Sequence, residues 1–217
     1  MTLDLNERIA VLHGFSASLQ LVVDAKSEEG LSSAQSKTYK AISSLKFGNP
    51  WFSQWSVENA LNGILELVKS SNVNTWIGKY DNLIKGKNTK NVVGVVMAGN
   101  IPAVGFHDLL CVFIVGDIAR IKLSSDDKHL IPLLLDIFSE VEPNTSTYFQ
   151  IAEERLGTVD KVVATGGNNT SRYFEYYFKK YPNIIRKSRT SVAVVNDKAS
   201  KTDWIELGKD IFSYYGL

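Results

Sequence analysis

The run Asn91-Val92-Val93-Gly94-Val95-Val96-Met97 constrains the fold most, because it is a block of β-branched residues without polar alternation. A strand buried on both faces reads this way, whereas a half-exposed strand alternates apolar with polar. Such strands belong to parallel sheets, whose neighbours are joined by crossover helices. The flanking sequence supplies them. Pro102 is placed to open an apolar helix, Ala103 to Val115, that Gly116 would stop. Ile118 to Leu123 reads as the next strand. Ser124, Ser125 and Asp126 offer N-caps to a helix carrying Leu130, Leu133, Leu134, Ile137, Phe138 and Val141 on one face. Phe149-Gln150-Ile151 reads as a short strand and Lys161 to Thr165 as a fuller one. Gly166-Gly167-Asn168-Asn169-Thr170 turns into an aromatic helix, Ser171 to Tyr181, stopped by Pro182. Ser191 to Val195 reads as a last strand, and Thr202 to Tyr215 as a closing helix with Trp204, Leu207, Ile211 and Phe212 inward. This alternation predicts an α/β fold, a parallel sheet with helices on both faces.

The part before the sheet is predicted to be helical. Ile9, Leu12, Phe15 and Leu19 fall at helix spacing, and Asn49-Pro50-Trp51-Phe52 breaks the pattern. A helix follows with Val57, Ala60, Leu61, Ile64, Leu65 and Val68 as its stripe and Ser56 as N-cap, and Ser70 to Lys90 reads as helix ends and a polar connection. The expected organisation is an N-terminal helical region, 1–90, and a nucleotide-binding α/β domain, 91–217.

Composition excludes several classes. Formal net charge is +1, so total charge calls for neither nucleic acid nor an anionic membrane. Cys111 is the single cysteine, which forbids an intrachain disulfide and suits a reducing cytosol. No metal-ligand or Ser-His-Asp spacing is present, so no metal is expected. The N-terminus, Met1 to Arg8, has acids and no long apolar core, unlike a secretory signal. The longest apolar run, Leu109 to Val115, is too short to span a bilayer. A soluble, cytoplasmic protein is expected.

Open parallel sheets bind ligands at the carboxyl ends of their strands, which directs attention to three turns. In Met97-Ala98-Gly99-Asn100-Ile101-Pro102, Asn100 is either a helix cap or an amide donor to a developing oxyanion. In Ile121-Lys122-Leu123-Ser124-Ser125-Asp126, Lys122 either snorkels at the sheet edge or reaches a ligand; Ser124 and Ser125 are either caps or hydroxyl donors to a ribose or phosphate. Gly166 and Gly167, before a helix, form either an ordinary turn or a compact anion site. The G-x-G-x-x-G fingerprint is absent, since Gly99 and Gly105 do not fit it.

Other features read as structural. Arg172, Lys179 and Lys180 interleave with Tyr173, Phe174, Tyr176, Tyr177 and Phe178, a pattern that could stack on single-stranded nucleic acid but at helical spacing reads as core. His107 and Asp108 are adjacent on a helix and cannot face each other; satisfied polar groups are expected there rather than an acid–base couple. Cys111 reads as inert packing. Arg186-Lys187-Ser188-Arg189 either meets phosphate or lines a solvated loop.

Taken in order, Val95-Val96-Met97-Ala98-Gly99-Asn100-Ile101-Pro102, Gly105-Phe106-His107-Asp108, Lys122-Leu123-Ser124-Ser125-Asp126-Asp127, Ala164 to Phe174 and Ile185 to Arg189 resemble the long-chain acyl-CoA reductase family. That family includes the fatty-acid reductase subunit of bacterial bioluminescence and lies in the aldehyde dehydrogenase superfamily. The resemblance runs from about Asn49 to the C-terminus. It implies a Rossmann-like cofactor domain of the aldehyde dehydrogenase type and NADPH-dependent reduction of a fatty acyl group to the aldehyde through an acyl-thioester on cysteine. It further implies that Asn100 helps hold the thiohemiacetal oxygen, that Lys122 contacts the adenosine ribose, and that Gly166 and Gly167 lie beside the cofactor phosphates. Ser125 stands where NAD-preferring relatives place a ribose-binding glutamate; without that carboxylate a 2′-phosphate is not repelled and Lys122 could pair with it, so NADP is the expected cofactor.

Two departures qualify this. Arg186-Lys187-Ser188-Arg189-Thr190-Ser191 occupies the segment in which aldehyde-oxidising relatives carry a water-activating glutamate, and a reductase that resolves its thioester with hydride needs no such base. In the family, the segment resembling Phe212 to Leu217 leads into the glycine-cysteine turn that supplies the nucleophile, and Cys111 lies in the wrong element to replace it. The expectation is a cofactor-side portion cut before the catalytic domain, inactive alone. Expected partners are an acyl-CoA or other acyl thioester, with a homo-oligomer or acyl-transfer proteins as further candidates. The alternative is a non-catalytic nucleotide-binding or assembly module.

Overall fold

The computed structural model describes residues 2–85, 87 and 89–216; Met1, Gly86, Asn88 and Leu217, which fall in the N-terminal segment, the polar connection and the C-terminal segment read above, lie outside the described residues. Five helices come first: α1 (Leu5–Asp24), α2 (Ser33–Ser44), α3 (Gln54–Val68), α4 (Ser70–Gly78) and α5 (Asp81–Lys85). The sheet follows as β1 (Val92–Val96), α6 (Phe106–Ile114), β2 (Ile118–Lys122), α7 (Leu130–Val141), β3 (Phe149–Ile151), β4 (Lys161–Thr165), α8 (Asn168–Phe178) and β5 (Asn183–Arg186), with α9 (Lys201–Phe212) and a 3-10 turn (Ser213–Gly216) after it.

The five strands are parallel in the order β3-β2-β1-β4-β5, so the expected α/β architecture is present. One side of the sheet carries Val93, Val95, Ala119, Ile121 and the half-buried Val163, packed with α6 and α7 in the main core. Val162 and Ala164 point the other way, as period-two alternation requires, and pack with Phe174 and Phe178 of α8. The α1–α3 layer covers α6 and α7. Phe15 of α1 stacks on Phe138 of α7 with ring centroids 4.1 Å apart and on Phe106 of α6 at 5.5 Å. Gly14 permits that approach, because a Cβ there would lie 2.6 Å from Val141 Cγ1. Among the described residues no helix is long and apolar enough to cross a membrane.

Local chemistry sets the element ends. Asp4 and Glu7 form a capping box on α1, and Ser32 and Gln35 form one on α2. The N-cap of α3 is Ser53, not Ser56: the Ser56 N–H is the one satisfied, and its buried hydroxyl donates to the Trp51 carbonyl at 2.9 Å. The Ser70 to Lys90 stretch is more helical than its composition reads, because Val73, Ile77 and Ile84 are buried and seat α4 and α5.

Three sheet-side expectations are corrected. The helix after β1 begins at Phe106 rather than at Pro102. Residues 101–105 are turn, with Ala103 at φ 54°, and Gly116 ends the helix at φ 81° as read. The helix after β2 begins at Leu130, and Asp127 rather than residues 124–126 accepts from its first N–H. The last strand is Asn183–Arg186 and not Ser191 to Val195. The nearer segment takes the β4 edge: the Val162 N–H donates to Pro182 O at 3.0 Å and the Gly166 N–H to Arg186 O at 3.1 Å. With that edge filled, Val192 and Val194 stand 88% and 97% exposed, β propensity without a ladder to join.

Two burial expectations also fail. Trp204, Ile211 and Phe212 of α9 are exposed rather than inward, and α9 buries no residue. Of the aromatic residues on α8 only Phe174 and Phe178 turn to the sheet, while Tyr173, Tyr176 and Tyr177 are exposed. A helix on one sheet face needs a single apolar stripe, and the phenylalanines already fill it.

Candidate functional site

Strand register brings the three turns to one edge. Val96 of β1 pairs with Lys122 of β2 on one side and Ala164 of β4 on the other, so all three strands end at the same level. The strand order reverses between β1 and β4, which places the topological switch point between the Gly99–Asn100 turn and the Gly166–Gly167 turn.

In the first turn Asn100 is exposed and makes no hydrogen bond among the described residues, so it is not a helix cap. The late start of α6 also separates Asn100 from the first helical turn, and the helix-dipole argument for it lapses. The preceding Gly99 is a true close approach: a Cβ there would overlap Ser124 Oγ and lie 2.6 Å from Ser124 Cβ. The first two turns are therefore in van der Waals contact.

In the second turn the Lys122 ammonium donates to the Glu153 carbonyl at 2.7 Å, just beyond β3. An ammonium has three donors, so this bond orients the group at the sheet edge without exhausting it. The Ser124 hydroxyl accepts from the Asp126 N–H at 3.3 Å, and the exposed Ser125 hydroxyl donates to the Asp126 carboxylate at 3.3 Å. Neither serine caps α7. Sequence reasoning passes over Asp127, which does. Its Oδ1 accepts from the Leu130 N–H at 3.3 Å, and its Oδ2 reaches across to accept from the Ala103 N–H at 2.7 Å. Burial raises the Asp127 carboxyl above the usual aspartate range, against the two backbone N–H groups that lower it. Its sequence signal is an Asp three residues before an apolar helix, masked by the three cap candidates that directly precede it.

In the third turn Gly167 is the N-cap of α8 and keeps its surroundings open: a Cβ there would meet only Ser188 Oγ, at 3.9 Å. At Gly166 a Cβ would lie 3.0 Å from Phe174 Cε2, so that glycine lets the turn close over the helix. No side-chain cap occupies the α8 N-terminus, which leaves its N–H groups facing this edge.

The remaining candidates have neighbours within the protein. Arg186 at the end of β5 pairs with the buried Asp108 of α6, so Arg186 is engaged inside the protein and Asp108 is satisfied. Lys187 pairs with Glu175. His107 faces Trp76, ring centroids 6.3 Å apart, and lies 3.8 Å from Cys111 Sγ. Burial, with Asp108 beside it, pushes the Cys111 thiol up to about 11. No group of three or more metal-ligating side chains occurs among the described residues. A cavity of about 550 Å³ lies between α1, α2 and α3, lined by Val22, Tyr39 and Glu58, without any of the three turns.

Comparison with known proteins agrees with this architecture. The model of the family described as Acyl-CoA reductase (LuxC) matches residues 2–215. No curated protein sequence matches the chain. Among solved structures, proline utilization A (PutA) from Corynebacterium freiburgense is similar with a TM-score of 0.55 and 14% identity, over 86% of this chain and 19% of that one. A protein assigned as an aldehyde dehydrogenase from Burkholderia cenocepacia gives a TM-score of 0.52 and 12% identity, over 84% of this chain and 40% of that one. At such identities the likeness is one of fold, and the chain spans less than half the length of either structure.

Proposed function

The chain belongs to the LuxC acyl-CoA reductase family, and from that premise we propose that it is the cofactor-binding portion of an NADPH-dependent fatty acyl reductase. The observation that carries the reading is the level alignment of three ligand-competent turns around the switch point of a parallel sheet. Proteins of this architecture take nucleotides there.

The residues present fit a nicotinamide dinucleotide phosphate. The open Gly167 and the uncapped N-terminus of α8 suit a pyrophosphate. Lys122, oriented by Glu153 O, has donors to spare for a 2′-phosphate, and Ser125 brings no carboxylate to repel one. The bound cofactor would supply hydride. Asn100, with its carboxamide uncommitted, would donate to the oxygen of an acyl thioester as charge develops on it. The nucleophile is assigned elsewhere. Cys111 is the only cysteine of this sequence, and its neutral thiol lies within α6 against His107, so the proposed thioester forms on a cysteine this sequence does not contain. The substrate class is an acyl-CoA or related acyl thioester. An assembly role is favoured by a separate observation, the exposed apolar residues Val192, Val194 and Phe212, and it is compatible with cofactor binding.

Titration of the chain with NADPH and NADH, followed by nucleotide fluorescence, tests the reading. NADPH is expected to bind more tightly than NADH. Lys122→Ala is expected to weaken NADPH about tenfold, the worth of one charge-assisted hydrogen bond, and NADH less. Binding of neither nucleotide at millimolar concentration would refute it.

A further inference from the structure

The loop between β1 and α6 touches the loop between β2 and α7 at two points. The first is Gly99 against Ser124. The second is the Ala103 N–H on Asp127 Oδ2, at 2.7 Å. Asn100 lies between these anchors, exposed and without a hydrogen bond of its own among the described residues.

The second anchor is more than a helix cap. Asp127 is 4% exposed and makes no ion pair among the described residues. A serine or threonine hydroxyl would satisfy the Leu130 N–H without burying a charge. What the carboxylate adds is a second acceptor oxygen, and that oxygen takes Ala103. Ala103 is itself unusual, a buried L-residue at φ 54°. Such a backbone persists only where its surroundings over-determine it, and strain of this kind gathers at functional loops.

We infer that Asp127 is a positioning residue: it clamps the Asn100 loop onto the Ser124–Ser125 loop, so that the oxyanion donor and the ribose side of the cofactor site are held in one register. This rests on the role proposed for Asn100 above, while the clamp itself is a property of the ligand-free chain.

Asp127→Ser separates the two tasks, since its hydroxyl can cap Leu130 but cannot reach Ala103 as well. Amide exchange by NMR is expected to show the Ala103 N–H losing protection about tenfold while Leu130 stays within about threefold, the difference one charge-assisted hydrogen bond makes. The Asn100 side-chain amide resonances are expected to shift, which loss of a helix cap alone would not cause. Adding Ala103→Gly is expected to restore part of the Asn100 signature, because glycine holds the left-handed backbone unaided. Unchanged protection at Ala103, or equal loss at Ala103 and Leu130, would overturn the clamp. If Asp127→Ser does not fold, a through-hydrogen-bond coupling from the Ala103 amide to the Asp127 carboxyl carbon in the unaltered chain decides the matter, and its absence overturns the proposal. A chain that binds no nicotinamide nucleotide refutes the functional reading alone, since none of these measurements uses a ligand.

Discussion

Cys111 sits four residues after His107 on α6, and a Cys–His pair at that spacing invites a nucleophile reading. The environment argues otherwise. Half-burial disfavours the thiolate, Asp108 disfavours it further, and the thiol is pushed up to about 11. An ordinary thiol near 8.5 is about a quarter ionised at pH 8, so Cys111 should be alkylated by iodoacetamide about a hundredfold more slowly than free cysteine. Alkylation at the free-cysteine rate would return it to the list of nucleophiles. Sequence gave access to the residue types at this scale but not to their partners. Lys122 was legible as a lysine out of pattern in a strand, and Glu153 O, which orients it, was not. Asn100 was legible as cap or donor, and the late start of α6, with no hydrogen bond at Asn100 among the described residues, removes the first alternative. Asp108 and Arg186 lie far apart in the chain, and no local pattern announces their pairing.

At the scale of elements, long apolar runs were read correctly wherever burial is two-sided, as in β1 and β4, and where a helix carries one stripe, as in α7. One failure was a competition. Asn183–Arg186 and Ser191 to Val195 both suit a strand, and the shorter run won because it follows α8 directly and reaches the β4 edge first. Sequence also hid how tightly the first two loops meet. Gly99→Ala forces a methyl into Ser124 and should cost about 1–3 kcal/mol, the usual penalty for overpacking. Ser124→Gly removes the two nearest obstructing atoms and leaves only Asp126 Cβ, at 3.2 Å, so the double variant should recover most of that loss in a urea-unfolding cycle. Additive costs would show that the two loops are not in contact in solution.

Across the whole molecule, order is uneven. The sheet and the helices α1–α7 share a continuous apolar core, whereas residues 190–195 make no backbone hydrogen bonds among the described residues and α9 buries nothing. The C-terminal segment returns to the helical layer through Tyr215 against Trp51, just before α3, ring centroids 5.1 Å apart, and through Tyr214, which lies near Trp55 and hydrogen-bonds Asn59 of α3. Limited proteolysis should therefore cut first between 187 and 198, leaving an N-terminal fragment that keeps its circular dichroism. First cleavage within β1–β4 would contradict that ranking. Fold class was legible because strand–helix alternation is a property of the whole pattern; the exposed C-terminal surface was not, because an apolar residue reads the same whether or not something covers it.

On the proposed reading a nicotinamide nucleotide lies across the β1, β2 and β4 turns. Amide chemical-shift mapping during an NADPH titration tests it directly. The largest changes are predicted at Gly99, Asn100, Ser124, Ser125, Gly166 and Gly167, on the shared edge that strand register gives them. Largest changes around Val22, Tyr39 and Glu58 in the helical cavity, or no changes at all, would contradict it.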